Sequence, residues 1–305
     1  MKGAGLHVGT SPRSGGVGYR LNVGAYVDPA GKPGYHSPVI YMSQPKPLHE
    51  PGDGPMRVVG LFSGGGSGIR YLLNREGNQC RYRIVGAVSD SPGASGIEIL
   101  KEQDLQVRVL DKDKFYSDDG RTEETRRRFF SELIEEINPF SPHLLVLSGF
   151  MQIVTEPLLT EFENRIINVH PADLRIEENG SRKFVGDDSV YDAVRAGEKE
   201  VRSTVHLVTA EVDAGPILVV SRPFPVEREL VSTLQEHQPQ LLRSYVDALQ
   251  EWMKWKGDGP CLHRGLELYA RGQVYRENSG ILLKRQGELL KGYLDLGQDE
   301  IVRGD

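Results

Sequence analysis

Arg165-Ile-Ile-Asn168-Val-His170-Pro171 is the stretch around which the rest of the chain is organised. Ile166, Ile167 and Val169 read as a buried strand, and Asn168 and His170 interrupt the apolar run near its end. Alternate side chains of a strand share a face, so an amide and an imidazole project together from its C-terminal end. Open parallel α/β sheets hold their ligands there. The plainer alternative is a strand that turns polar as it surfaces. Only the rest of the chain separates the two.

Working outward, strands and helices alternate. Met56–Phe62 is a short apolar strand, followed by Ser63-Gly-Gly-Gly-Ser-Gly68 and a helix start at Ile69. Tyr82–Ser89 reads as a strand, 94–103 as a helix and 106–110 as a strand. Residues 122–137 have helical spacing, 143–147 form an apolar strand and 157–162 a short helix before Arg165. Strands separated by helices of this length predict an α/β fold: a Rossmann-like, mostly parallel sheet with helices on both faces. Downstream, 172–183 is polar and irregular, and 187–196 reads as a helix that Asp187 or Asp188 caps. Strands at 203–209 and 217–221 flank Ala210-Glu-Val-Asp213-Ala-Gly-Pro216, a loop with two acids. One long outer helix is expected over 230–255 and another near 262–270, with strand pairs around 272–284 and 288–294.

Composition sets the outer bounds. The chain has 305 residues, 38% hydrophobic and 26% charged, enough for a sizeable core. Its net charge of −6 and pI near 5.8 lack the basic footprint of a general nucleic-acid binder. No apolar run reaches the roughly 18 residues of a membrane span, and the N-terminus lacks a secretory layout. Two cysteines, Cys80 and Cys261, suit neither a disulfide framework nor a metal site, so a reducing cytoplasm is the default. Residues 1–55 hold 11 of the 35 glycines and 8 of the 18 prolines, too few apolar groups to offset ordering entropy. They read as an extension with at most a hairpin around 19–27, leaving a body at 56–257 and a helix and strand-pair tail at 258–305.

The chemistry lies in three residues. An asparagine N–H can bind an oxyanion forming on a carbonyl. A histidine can carry charge for it or pass a proton. An aspartate beside that histidine raises its pKa. Asn168, His170 and Asp213 are thus equipped for acyl transfer from a stable donor to an amine, without metal or covalent intermediate. The glycine run 63–68 is a strand-to-helix turn of the kind that holds phosphate on backbone N–H groups, but it has neither a Walker nor a dinucleotide pattern. Phe150 and Met151, after the 143–147 strand, suit either the edge of a flat ligand or the core.

Ser63-Gly-Gly-Gly-Ser-Gly68, Gly149-Phe-Met-Gln-Ile153, Asn168-Val-His-Pro171 and Asp213-Ala-Gly-Pro216, in this order and spacing, resemble the folate-dependent formyltransferases, the phosphoribosylglycinamide branch most of all. The resemblance covers about 56–226. It implies the formyltransferase fold, 10-formyltetrahydrofolate as cosubstrate and a phosphorylated amine as acceptor, in purine biosynthesis. Asn168, His170 and Asp213 fall on the family's catalytic positions. Gly66, Ser67 and Gly68 fall on its phosphate loop, and Arg126 on a substrate-binding arginine. Met151, Gln152, Ile153 and Val154, with Thr209 and Glu211, fall where the pteridine sits. Three departures concern the acceptor side: Gly68 replaces an asparagine, Gln152 an arginine, and Pro171-Ala-Asp-Leu-Arg175 is followed by a polar insertion up to Lys183. A formyltetrahydrofolate hydrolase, transfer to a nucleotide sugar or methionyl-tRNA, and a non-catalytic folate-binding module are the competing readings. Small molecules are the expected partners, without nucleic acid or membrane. Whether copies of the chain form a homo-oligomer is left open.

Overall fold

The computed structural model describes residues 45–77, 80–117, 120–277 and 280–303, and the backbone of three strands before them. Two units make up the chain, residues 1–46 and 47–305. The described backbone of the first is an antiparallel sheet of His7–Thr10, Val17–Arg20 and Val39–Tyr41. The hairpin expected around 19–27 lies mostly outside the described residues. Its first two residues, Tyr19 and Arg20, pair with the other two strands of this sheet.

The second unit is built on a nine-stranded sheet. Numbered along the chain, its strands are β1 Met56–Phe62, β2 Tyr82–Ser89, β3 Val107–Val109, β4 Leu144–Leu147 and β5 Ile166–His170. Then follow β6 Thr204–Leu207, β7 Ile217–Val220, β8 Tyr293–Asp295 and β9 Glu300–Val302. Their spatial order is β9-β8-β7-β6-β5-β4-β1-β2-β3. β1 to β5 are mutually parallel, β6 runs antiparallel to both β5 and β7, β8 is parallel to β7, and β9 is antiparallel to β8. The mostly parallel sheet read from the sequence is therefore the observed one.

Longer helices cover both faces. They are α1 Ser67–Arg75, α2 Gly96–Lys101, α3 Glu123–Ile137, α4 Ser189–Arg195, α5 Arg228–His237, α6 Pro239–Met253 and α7 Gly259–Ala270. Because β1 is covered on both sides, its alternate residues enter two cores. Val58 and Phe62 pack with Ile69 and Leu72 of α1 and Leu262 and Leu266 of α7. Val59 and Leu61 pack with Phe129, Phe130, Leu133 and Ile137 of α3. A third cluster joins Phe184 and Phe224 to α4, α5 and α6.

Several expected elements differ. The single helix over 230–255 is broken, since Gln238 leaves helical geometry (φ −146°, ψ 63°) and Pro239 starts a new helix at its first position. Lys254–Asp258 then form a π-helical turn leading into α7. Neither acid caps α4 with its side chain; Asp188 instead pairs with Arg243 at 2.8 Å. The 288–294 segment splits, with Glu288–Lys291 closing a small antiparallel sheet and β8 joining the central one. Residues 172–183 hold a two-residue-per-strand hairpin, Glu177–Glu178 against Ser181–Arg182. No described helix is long and apolar enough to cross a membrane.

Candidate active site

The parallel order reverses at β1 and β4, which lie side by side although β2 and β3 intervene in the chain. Loops leaving the C-terminal ends of such strands diverge and open a crevice. Here the loops 63–66 and 148–154 are knitted together across it. Ser63 N–H donates to the Gly149 carbonyl at 2.9 Å, and Met151 N–H to Ser63 Oγ at 2.8 Å. Around this crevice lies a cavity of about 980 Å³.

At its centre the sheet brings polar groups from three segments together. Asn168 and His170 share one face of β5, while Ile167 and Val169 enter the core on the other. The antiparallel register places His206 of β6 directly opposite Asn168. Asn168 Nδ2 lies 3.2 Å from His206 Nε2 and donates to Asp213 Oδ1 at 3.5 Å. The Asp213 carboxylate lies 3.4 Å from His170 Nδ1 and 3.4 Å from His206 Nε2, and accepts the Gly186 N–H at 3.2 Å. Both side chains are nearly buried, 6% exposed for His170 and 9% for Asp213.

These contacts settle proton positions. His170 Nε2 lies 2.9 Å from the Phe184 carbonyl, which only accepts, so Nε2 carries the hydrogen. Nδ1 is left facing Asp213. Likewise His206 Nδ1 donates to the Leu207 carbonyl at 2.9 Å, and its Nε2 stands between the Asn168 amide and the Asp213 carboxylate. Asp213 is held down at about 2 despite burial, by the hydrogen bond from His206, the charge of His170 and the Gly186 N–H. His170 departs from expectation. Burial pushes its pKa below the ordinary value and outweighs the opposing pull of Asp213 and the Phe184 carbonyl. An aspartate that simply keeps this histidine charged is thus not what the geometry provides. Nor does a ring nitrogen of His170 face an oxyanion directly, because both are engaged.

The glycine loop forms another wall. Gly66 caps α1 at φ 58°, ψ 30°, a left-handed conformation that glycine adopts without strain. Gly66 and Ser67 line the cavity, as does Arg126 on α3, whose neighbours Arg127 and Arg128 are solvent-exposed. Gly68 does not. Its N–H donates to Ser148 Oγ at 3.1 Å, and a Cβ there would sit 2.4 Å from that oxygen. Glycine at this position lets α1 pack closely against Ser148, where an asparagine side chain would clash.

The lining also includes Met151, Gln152, Ile153, Val154, Thr209 and Glu211. Phe150 and Val154 belong to the core, whereas Met151 and Ile153 are about half exposed. Gln152 donates its amide to the buried Asp90 at 2.9 Å. With Val212 these side chains make an apolar rim suited to a flat ring.

Several lining residues escaped the sequence reading. His206 lay in a strand that was read, but its register against Asn168 was not available. Arg70, Tyr116, Arg121, Lys254, Trp255 and Asp258 also line the cavity. Arg70 lies over the Trp255 ring at 5.3 Å, and Arg121 over Tyr116 at 5.3 Å. Arg70, five residues after Gly65, was the detectable signal: a cation in the first turns of the helix that a glycine loop opens.

Residues 56–241 match the family described as formyl transferase. Among curated relatives, phosphoribosylglycinamide formyltransferase of Mycobacterium tuberculosis (strain H37Rv) is 33% identical over 184 residues, 59% of this chain and 76% of that protein. The Escherichia coli K12 protein of the same name is 27% identical over 168 residues, 55% and 72% of the two chains. The trifunctional purine biosynthetic protein adenosine-3 of Gallus gallus is 28% identical over 226 residues, but only 19% of its length is spanned. Glycinamide ribonucleotide transformylase 1 from Symbiobacterium toebii superposes with a TM-score of 0.60 at 26% identity, over 77% of this chain and 96% of that one. A formyltetrahydrofolate deformylase from Pseudomonas syringae pv. tomato shares the fold, with a TM-score of 0.59 at 19% identity over 76% and 67%.

Proposed function

The chain belongs to the formyl transferase family, a formyltetrahydrofolate-dependent formyltransferase, and we propose that it carries the formyl group of 10-formyltetrahydrofolate to the amine of glycinamide ribonucleotide. One observation carries this reading. A single cavity is lined by the Asn168–His170–Asp213 group, by the apolar rim and by a glycine loop with Arg70, Arg121 and Arg126. The rim suits a pteridine, and the cationic wall with the Gly66–Ser67 turn suits a phosphate. Water as acceptor would have no use for that wall, which favours transfer over hydrolysis.

The proposed mechanism is direct attack. The acceptor amine adds to the formyl carbon and negative charge grows on the formyl oxygen. In this scheme the Asn168 amide, which lies 3.2 Å from His206 Nε2 and 3.5 Å from Asp213 Oδ1, turns one of its two N–H groups to that oxygen. The amine's proton passes through water to the Asp213–His170 pair. There, a histidine with a lowered pKa is a suitable transient holder, and Asp213 stabilises the imidazolium. The same proton then goes to the folate nitrogen as the carbon–nitrogen bond breaks, so tetrahydrofolate leaves neutral at that atom. No metal has a part in this proposed scheme.

The test is absorbance-monitored loss of the formyl group from 10-formyltetrahydrofolate, with and without glycinamide ribonucleotide. Turnover that depends on the ribonucleotide supports the reading. Equal turnover in its absence points to a hydrolase, and folate binding without turnover points to a non-catalytic module.

A further inference from the structure

The insertion after His170 ends against the reacting group. Its hairpin turns at Asn179 and Gly180, with φ of 55° and 78°, and delivers Arg182 beside the 213–216 loop. The Arg182 guanidinium donates from Nη1 to the Asp213 carbonyl and from Nη2 to the Gly215 carbonyl, the latter at 2.9 Å. Asp213 itself has φ 51°, a left-handed conformation that a non-glycine residue occupies only when its surroundings hold it there. Immediately beyond Arg182, the same segment presents the Phe184 carbonyl to His170 and the Gly186 N–H to Asp213.

We propose that Arg182 is a positioning residue for the reaction: by bridging two carbonyls of the 213–216 loop, it fixes the Asp213 carboxylate between His170, His206 and Asn168. The idea rests on the proposed role of those residues in formyl transfer. Arg182 touches no reacting atom. It acts through the backbone of Asp213, and a planar fork with two donors suits that bridge where a single ammonium does not.

His170 reports on this arrangement. The groups facing it are Asp213, Arg182, His206 and the Phe184 carbonyl; Asp213 raises its pKa, while Arg182 and His206 lower it. If only a nearby positive charge were lost, the His170 titration midpoint would rise. If Asp213 also drifts from its place, a stronger opposing influence is lost and the midpoint falls.

The experiment uses the full chain with Arg182→Met and Arg182→Lys. It measures kcat with 10-formyltetrahydrofolate and glycinamide ribonucleotide, Kd for tetrahydrofolate, and the His170 midpoint by NMR. In Arg182→Met we expect kcat to fall by about 10- to 100-fold, the scale for misplacing a reacting group by about 1 Å. Kd should stay within about threefold, and the midpoint should fall. Lysine should restore kcat only in part. Wild-type kcat in Arg182→Met, a parallel loss of kcat and tetrahydrofolate affinity, or a midpoint that rises or stays put would each overturn the proposal. Should the wild-type chain show no formyl transfer, the functional reading fails, and the direction of the midpoint still decides the role of Arg182.

Discussion

Asp213→Asn removes one negative charge at the meeting point of four nitrogen groups while keeping the side chain's shape. The carboxylate contacts His170 Nδ1, His206 Nε2, Gly186 N–H and Asn168 Nδ2 at 3.2–3.5 Å. Such separations are long, so each charge-assisted contact belongs at the weak end, about 1.5 kcal/mol. If the contacts to His170 and to the Gly186 N–H are the ones that matter in the transition state, the loss is about 3 kcal/mol, or on the order of 100-fold in kcat. His170 loses its main supporting charge, so its pKa, already lowered by burial, falls further. The pH at which His170 is half-protonated should therefore move down. Single-turnover assays with the donor would give kcat, and a fluorescence titration with tetrahydrofolate would give donor affinity, which should be nearly unchanged. His170→Ala completes a cycle. Because the two side chains act as a pair, the double variant should lose clearly less than the product of the single losses. Fully multiplicative losses, or Asp213→Asn with wild-type kcat, would refute the pairing.

Other perturbations follow from particular contacts. Arg126→Ala should raise the acceptor KM about tenfold or more, the loss of one charged hydrogen bond of about 1.5–3 kcal/mol, and leave donor Kd unchanged in the same assays. Asp258 has its pKa pushed up to about 6 by burial, and one carboxylate oxygen lacks a hydrogen-bond partner. A carboxyl group raised on folding stabilises fully below its unfolded pKa and less as pH rises through the folded value. Asp258→Asn should thus raise Tm relative to the wild type at pH 8 and change it little near pH 4, as calorimetry would show. A chain starting at residue 47 should keep its fold by circular dichroism. One starting at Met56 loses the Leu48 N–H bond to the Val274 carbonyl and the packing of Pro51 on Gly272, and should melt lower. Equal Tm for the two truncations would support the boundary at 55/56 read from the sequence.

Much of this was legible in the chain because local pattern and tertiary role agree. Ile167–His170 alternates apolar and polar residues, with Ile167 and Val169 in the core, and Asn168 and His170 do share the other face. The glycine turn at 63–66, the apolar strand before it and the helix after it needed only their neighbours in sequence. What was hidden depends on register or distance. Thr204–Leu207 is fully buried, so nothing in its composition singles out His206; only the antiparallel pairing with β5 sets it against Asn168. Lys254, Trp255 and Asp258 reach the cavity through the packing of a helix that begins at Pro239, a break that the apolar periodicity of 230–255 concealed. The hairpin carrying Arg182 is a different case. Asn179-Gly180 is a strong hairpin turn signal, and it went unread because the flanking residues are polar. Burial reversed one electrostatic expectation, since a carboxylate beside a histidine raises its pKa only when desolvation does not win.

The most direct measurement follows the formyl carbon itself. Donor labelled with ¹³C in the formyl group would be incubated with the full-length protein and glycinamide ribonucleotide, and the products resolved by NMR. The label should appear as a formamide on the ribonucleotide, one for each tetrahydrofolate released, and Asn168→Ala should slow its appearance by about 100- to 1000-fold. Label recovered as free formate, or formamide formed at the wild-type rate by Asn168→Ala, would contradict the proposed transfer.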